Sequence, residues 1–159
     1  MIFSKMSDSL CCRDQWEQIR ICAYGDHGLR VQATKNSIFS KEDYAFEGAP
    51  RKENPAISIT DSEATISNGK LTCKVSAGGY ISFYRGETLL LKEYSRCENG
   101  ANDHAASLRI YPRQYHPNGS DYKIHVKFEA QPEKIYGMGQ YQQPELDLKG
   151  CVLELKQRN

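Results

Sequence analysis

Four histidines are the side chains of this sequence best suited to bind a metal or to carry protons near neutral pH. They are His27, His104, His116 and His125. His27 and His116 lie next to expected turns, and His125 lies on the polar face of an expected strand. None has a second ligand at the sequence spacing of a metal site. We therefore interpret all four as surface histidines and expect no bound metal.

Three acidic residues near the C-terminus, Glu145, Asp147 and Glu154, could take part in hydrolysis. Two carboxylic groups about 5–5.5 Å apart can act as a nucleophile and an acid/base. In a strand, Glu145 and Asp147 would share one face because side chains alternate. The spacing permits such a pair, but no surrounding motif supports it. Gly137 and Gly139 do not form a phosphate loop, because a third glycine and a following helix are missing.

Length and charge indicate one domain without a nucleic-acid or membrane partner. The chain has 159 residues and a net charge of +1, and domains commonly contain about 100–150 residues. No apolar run approaches the roughly 20 residues of a membrane span, and residues 1–9 lack the apolar core of a secretory signal. The six cysteines are scattered, with no Cys-x-x-Cys pair. We therefore expect reduced thiols and a cytoplasmic location.

Alternation of apolar and polar residues predicts strands over most of the chain. Residues 1–14 are expected to form a flexible arm. From Trp16 onward, Ile19, Ile21 and Ala23 alternate with polar residues, and a turn at residues 26–28 leads into a second alternating run at 29–34. Two such runs joined by a short turn predict a half-buried β-hairpin.

Residues 57–94 show the same alternation with turns between the runs, which predicts a β-meander. Asn68–Gly69 between two alternating runs favours a type I′ hairpin turn. We also expect a connection with one helical turn at 36–54, a loop at 95–106, a strand at 108–111, a turn at 117–119 and a strand at 122–128. No run of ten residues keeps an apolar helical period. The sequence therefore predicts an all-β, antiparallel β-sandwich.

The last 25 residues contain a recognisable pattern. Ile135-Tyr136-Gly137-Met138-Gly139-Gln140 is followed by an apolar–acidic loop and by Arg158-Asn159. This resembles the end of the N-terminal β-sandwich of glycoside hydrolase family 31, the α-glucosidases and α-xylosidases. There, a Tyr-Gly-apolar-Gly-Glu/Gln turn precedes a loop that ends in Arg-Asn or Arg-Asp. The resemblance is dense over residues 135–159 and continues, more diffusely, back to Trp16.

The resemblance implies a galactose-mutarotase-like supersandwich that is incomplete at its C-terminus, over residues 15–159. It also implies a larger retaining enzyme that hydrolyses terminal α-linked glucose or xylose from oligosaccharides without a metal or other cofactor. The family carries its catalytic aspartates on a (β/α)8 barrel, the nucleophile within a Trp-x-Asp-Met motif. The single tryptophan here, Trp16, is followed by Glu17-Gln18. We therefore expect no catalytic residue in this chain and no hydrolysis by the chain alone.

In the family, the loop before Arg-Asn contributes polar side chains to the sugar site. The resemblance places Asp147 at the acidic contact position, with Lys149 beside it, so both are expected to bind substrate. The alternative is that Asp147 merely caps the turn before Gly150. Gln140 stands where many members have Glu, which removes a charge.

The expected partners are an oligosaccharide substrate and the catalytic barrel of the same polypeptide. Open sheet edges, including an expected strand at 151–156, also favour self-association. Two other functions remain open from the sequence: a stand-alone carbohydrate-binding β-sandwich, and a structural domain with no ligand site.

Overall fold

The computed structural model describes residues 1–40, 54–94, 111–137 and 145–152. The chain divides into two compact units, Met1–Glu129 and Ala130–Asn159. Within the described ranges the first unit is built of antiparallel strands and contains no helix. None of the described segments forms a helix long and apolar enough to cross a membrane.

In its described residues, the first unit contains two meandering sheets and a separate hairpin. The four-stranded sheet consists of β1 (Ile2–Met6), β2 (Ser9–Arg13), β3 (Gln18–Tyr24) and β4 (Gly28–Thr34). The five-stranded sheet consists of β5 (Ala56–Ile59), β6 (Glu63–Asn68), β7 (Leu71–Ser76), β8 (Ile81–Arg85) and β9 (Thr88–Lys92). The hairpin consists of β10 (Arg113–Asn118) and β11 (Asp121–Val126).

The two sheets pack face to face around one apolar core, with β3 and β2 against β6 and β4 against β7. Side chains on successive residues of a strand point to opposite faces, so every second residue enters the core. The four-stranded sheet supplies Leu10, Cys12, Ile19 and Ile21; the five-stranded sheet supplies Ala64, Ile66, Cys73, Val75 and Ile81. This arrangement confirms the predicted antiparallel β-sandwich.

The hairpin predicted at Asn68–Gly69 is present, but its turn differs from the prediction. Asn68 is the last residue of β6 and pairs with Leu71, so Gly69 and Lys70 are the two central residues. Of these, Gly69 alone has a positive φ, +57°, which is the pattern of a type II′ turn. The Asn68 side chain is buried, and its Nδ2 donates to the carbonyl oxygens of Gly25 and Gly28 at 3.0 and 2.8 Å. It therefore ties the turns of the two sheets together.

The expectation of a flexible arm at residues 1–14 is wrong. These residues form the hairpin β1–β2, and β2 pairs with β3. Leu10 and Cys12 are buried in the core, with Ser9 and Cys11 on the other face. The alternation was present in the sequence, but it extends over only five residues, which is too short to distinguish from a polar segment.

The sequence also failed to predict β10, because Pro117 lies within it and proline disfavours strands. β10 is an edge strand in its hairpin, where a missing N–H is tolerated. Beyond β11 the chain continues along β9: Tyr94 N donates to Lys127 O at 2.9 Å, and Glu129 N donates to Lys92 O at 2.8 Å. The hairpin is thereby attached to the five-stranded sheet.

Several predicted features lie outside the described residues. These are most of the connection at 36–54, the loop at 95–106, the strand at 108–111 except Tyr111, and residues 153–156 of the expected C-terminal strand. Cys151 and Val152, which belong to that expected strand, are described and are not in a strand.

Candidate functional site

The second unit contains the two residues predicted to bind substrate, Asp147 and Lys149. Two segments of this unit, residues 130–137 and 145–152, lie side by side. The backbone of Ile135 is the point of attachment: its carbonyl oxygen accepts from Leu148 N at 2.7 Å. Leu148 is 6% exposed, whereas Leu146 is 80% exposed. A strand at 146–148 would place both leucines on one face. Because Leu148 is buried and Leu146 is exposed, the two leucines do not share an apolar face.

Asp147 holds the two segments together through one carboxylate oxygen. Its Oδ1 accepts from Ile135 N at 3.0 Å and from Lys149 N at 3.1 Å. The second bond closes a tight local turn, in which an aspartate side chain bonds the backbone two residues further on. Gly150 follows with a φ of +79°, a conformation that suits glycine. Asp147 thus caps the turn before Gly150, which was one of the two roles considered from the sequence.

Lys149 makes the second connection between these segments. Its Nζ donates to the carbonyl oxygens of Gln131 and of Glu133, the latter at 3.3 Å. It also lies 3.5 Å from the Glu133 carboxylate, with both side chains substantially exposed. An exposed pair of this kind contributes at most about 1 kcal/mol. The predicted site residues are therefore neighbours, and in this structure both bind the loop's own backbone.

Sequence reasoning missed a buried ionic cluster in the first unit, which we call the Arg113 cluster: Glu17, Glu93, Arg113 and Tyr115. Arg113 Nε and Nη2 donate to the two carboxylate oxygens of Glu17 at 2.7 and 2.9 Å. Its Nη1 donates to Glu93 Oε2, and its Nη2 also donates to Gly79 O at 2.7 Å. The Tyr115 hydroxyl donates to Glu17 Oε1. The guanidinium of Arg113, on β10, thus binds three other parts of the unit: the β2–β3 loop, the β7–β8 turn and the residue that follows β9.

The charges of this cluster are strongly perturbed by burial. Burial raises the pKa of the Glu93 carboxyl, although Arg113 beside it opposes the change. Burial acts to lower the pKa of Arg113, but hydrogen bonds and charges from Glu17 and Glu93 outweigh it and raise that pKa. Burial, followed by the hydrogen bond to Glu17, raises the pKa of the Tyr115 hydroxyl.

The Arg113 cluster has the properties of a structural junction. Its donors and acceptors are paired with one another: within the described ranges no buried side-chain nitrogen or oxygen lacks a hydrogen-bond partner. Glu93 Oε2 also accepts from Ile81 N at 2.8 Å, which fixes the carboxylate against β8. No local sequence pattern indicates the Arg113 cluster, because Arg113 and Glu17 are 96 residues apart.

Comparison with known proteins gives a consistent result. No protein-family model matches the chain. It is 39% identical over 155 residues to an uncharacterized family 31 glucosidase of Pseudescherichia vulneris, covering 89% of this chain and 29% of that protein. It is 28% identical over 177 residues to alpha-xylosidase A of Aspergillus niger, covering 96% of this chain and 23% of that protein.

A solved structure of a GH31 alpha-xylosidase from a soil metagenome, complexed with xylose, has the same fold. The match covers 100% of this chain and 25% of that one, with a TM-score of 0.86 and 34% sequence identity. The chain therefore spans between a quarter and a third of the first relative and about a quarter of the other two proteins. These similarities in sequence and fold confirm the resemblance stated from residues 135–159.

Proposed function

From its homology with family 31 glycoside hydrolases, we propose that this chain is the N-terminal β-sandwich of a retaining α-glycosidase. The parent enzyme hydrolyses terminal α-linked glucose or xylose from oligosaccharides. The observation that carries the proposal is the match over 100% of the chain to an alpha-xylosidase at a TM-score of 0.86 and 34% identity. Identity above 30% together with a shared fold supports common ancestry, and the relatives' names supply the two sugars.

In this proposal the catalytic carboxylates lie in the remainder of the parent enzyme. The first unit provides a rigid sandwich that supports the catalytic barrel, and the second unit provides a loop beside the sugar site. In favour of this role, the loop has its own internal scaffold: Asp147 and Lys149 hold residues 145–151 against residues 131–135. A loop fixed in this way can present polar atoms to a substrate without a large loss of entropy.

In this proposal Asp147 has two tasks, one for each carboxylate oxygen. Both hydrogen bonds of its side chain within the described ranges use Oδ1. The other oxygen, Oδ2, is the atom proposed to accept a hydrogen bond from a sugar hydroxyl on the leaving-group side of the cleaved bond. A carboxylate has lone pairs for several donors, so one oxygen can bind backbone while the other binds sugar.

Two measurements test the proposed family role. Sequencing the reading frame beyond Asn159 should show a barrel with a Trp-x-Asp-Met motif; a stop codon there would favour a stand-alone sugar-binding or structural domain. The 159-residue chain alone should release no p-nitrophenol from the aryl α-glucoside or α-xyloside, because a retaining mechanism needs two carboxylic groups. Turnover well above the blank by the pure chain would overturn the proposal.

The role of Asp147 is tested by two substitutions in the full-length enzyme. Asp147→Asn keeps an oxygen for the two backbone amides but removes the charge, whereas Asp147→Ala removes both. If the charged oxygen binds sugar, Asp147→Asn should lower kcat/KM for disaccharides about 10- to 100-fold, equivalent to a charged hydrogen bond of roughly 1.5–3 kcal/mol. Aryl glycosides lack the leaving-group hydroxyls and should change less. Unchanged disaccharide kinetics in Asp147→Asn would make Asp147 a loop cap only.

A further inference from the structure

The hairpin β10–β11 brings together two histidines that are nine residues apart in the sequence. His116 pairs with Lys123 and Gln114 pairs with His125, so these four residues lie on one face of the hairpin. The two imidazole rings lie diagonally across the strands, with their centroids 4.7 Å apart and their planes at 50°. Both residues are exposed, so solutes have access to them. The sequence spacing gave no indication of this pair, because it depends on strand register.

The separation of the rings suits a shared metal ion. A Zn–N bond of about 2.0–2.1 Å places each ring centroid about 3 Å from the metal. Two rings that ligate one ion at an angle near 90–110° then have centroids about 4–5 Å apart. The observed 4.7 Å lies within that range. Neither imidazole makes a hydrogen bond with any residue in the described ranges, so no protein donor competes for the ring nitrogens there.

We propose that His116 and His125 form a two-histidine surface site for a divalent transition-metal ion, with water completing the coordination. Imidazole ligands favour Cu²⁺, Ni²⁺ and Zn²⁺ over Mg²⁺ and Ca²⁺, which prefer oxygen. The described residues contain no cluster of three or more His, Cys, Asp or Glu that could enclose a metal. The site is therefore an open, two-ligand chelate, unlike the closed four-ligand sites that stabilise small domains.

The positive charge of Lys123 should weaken metal binding at this site, and this effect can be tested. Lys123 is the direct cross-strand partner of His116, and side chains of such pairs lie about 4.5–5.5 Å apart at Cβ. A positive charge at that distance disfavours a bound dication. Replacing Lys123 with Gln should therefore tighten metal binding, whereas a contact unrelated to metal would give no such gain.

The experiment is titration of the 159-residue protein with Ni²⁺, followed by calorimetry and by the imidazole proton resonances. We expect one saturable site, with His116 and His125 broadened before His27. His116→Gln and His125→Gln should each weaken binding about 100-fold or more, because the second ligand of a chelate acts at a high effective concentration. Lys123→Gln should bind several-fold more tightly, and Mg²⁺ should give no heat.

His27→Gln is the matched control and should retain the affinity of the native protein. Circular dichroism of every variant checks that the exposed substitutions leave the fold intact. Undiminished Ni²⁺ binding in the double variant His116→Gln/His125→Gln would assign the heat to another site, for example thiols, and would overturn the proposal. An absence of saturable binding in the native protein would overturn it as well.

Discussion

The sandwich and the C-terminal loop unit both use a basic side chain to join distant segments, but in different environments. In the sandwich the Arg113 side chain is 7% exposed and faces Glu17 and Glu93, which are 11% and 4% exposed. In the loop the Lys149 side chain is 33% exposed and faces Glu133 at 47%. A buried charge without a partner costs several kcal/mol, whereas an exposed one is solvated. We therefore expect the fold to depend more strongly on Arg113 than on Lys149.

Removing the central cation should give the largest effect. In Arg113→Met, Glu17 and Glu93 remain buried without a counter-charge, so the free energy of unfolding should fall by about 3–5 kcal/mol. Lys149→Met is the matched control and should change it by no more than about 1 kcal/mol. Urea unfolding followed by tryptophan fluorescence measures both. Equal losses in the two variants would contradict the contrast between the buried and exposed pairs.

A glycine substitution tests how closely the two sheets approach at their turns. A Cβ added at Gly69 would lie 2.1 Å from His27 Nδ1 and 2.9 Å from Asp26 O, whereas one added at Gly86 would meet nothing within 4 Å. Both glycines have a positive φ, +57° and +58°. Gly86→Ala should therefore cost about 1–2 kcal/mol for backbone strain alone. Gly69→Ala should cost about 1–3 kcal/mol more, because the turns must also separate.

The thermal or urea midpoints of these two alanine variants measure that difference. Identical midpoints would mean that the Tyr24–Gly28 and Asn68–Leu71 turns do not pack closely in solution.

The buried carboxylate of Glu93 should make the stability of the protein depend on pH. Because its pKa is raised in the folded state, the native protein holds this proton at a pH where the unfolded chain has lost it. The stability supplied by this group is complete below the ordinary value of 4.5 and decreases as the pH rises through the raised native pKa. Glu93→Gln keeps the hydrogen-bond acceptor for Ile81 N and loses this dependence.

The stability of Glu93→Gln relative to the native protein should therefore increase with pH above 4.5. Urea unfolding at several pH values measures this difference, in which the contributions of carboxylates that do not interact with Glu93 cancel. A difference that stays constant with pH would show that Glu93 does not titrate with a raised pKa.

The smallest global effect is expected in the loop. Asp147→Ala should change the unfolding free energy of the chain by no more than about 1 kcal/mol, because both amides that it binds are exposed and water can replace the carboxylate oxygen. Locally, the amides of Ile135 and Lys149 lose their acceptor and should exchange with solvent faster, while Asp147→Asn should preserve their protection. Hydrogen exchange read residue by residue makes the comparison. Unchanged exchange at Ile135 in Asp147→Ala would show that the two segments are held by other contacts.

The fold was largely predictable because a two-residue period reports directly which face of a strand is buried. Ile19, Ile21 and Ala23 were predicted to alternate with polar residues, and all three are buried. The alternating run at 57–94 contains four further buried residues, Ala64, Ile66, Cys73 and Val75. Strands were not predicted where the alternating pattern was short or where a proline interrupted it. The alternation in β2 extends over five residues, and Pro117 weakens the strand signal of β10.

The sites were less predictable, because they depend on residues brought together from distant parts of the chain. The hydrogen bonds of the Arg113 cluster join positions separated by 20 to 98 residues, and the His116–His125 pair depends on the register of one hairpin. Asp147 and Lys149 were located through a family resemblance, which identified the loop. Their hydrogen bonds to the backbone at residues 131–135 could not follow from sequence spacing.

The two hydrogen bonds that Asn68 donates between the turns also affect its chemical stability. An asparagine followed by glycine is prone to deamidation, in which the Gly69 nitrogen attacks the side-chain carbonyl carbon of Asn68 and ammonia leaves. In the folded protein that side chain is buried, and its nitrogen donates to Gly25 O and Gly28 O at 3.0 and 2.8 Å. Hydrolysis of the resulting ring would place a carboxylate against two carbonyl oxygens, an acceptor facing acceptors. The native state thus protects the Asn68 side-chain amide from deamidation. Each opening of the two turns exposes this amide, and deamidation then prevents the turns from closing again.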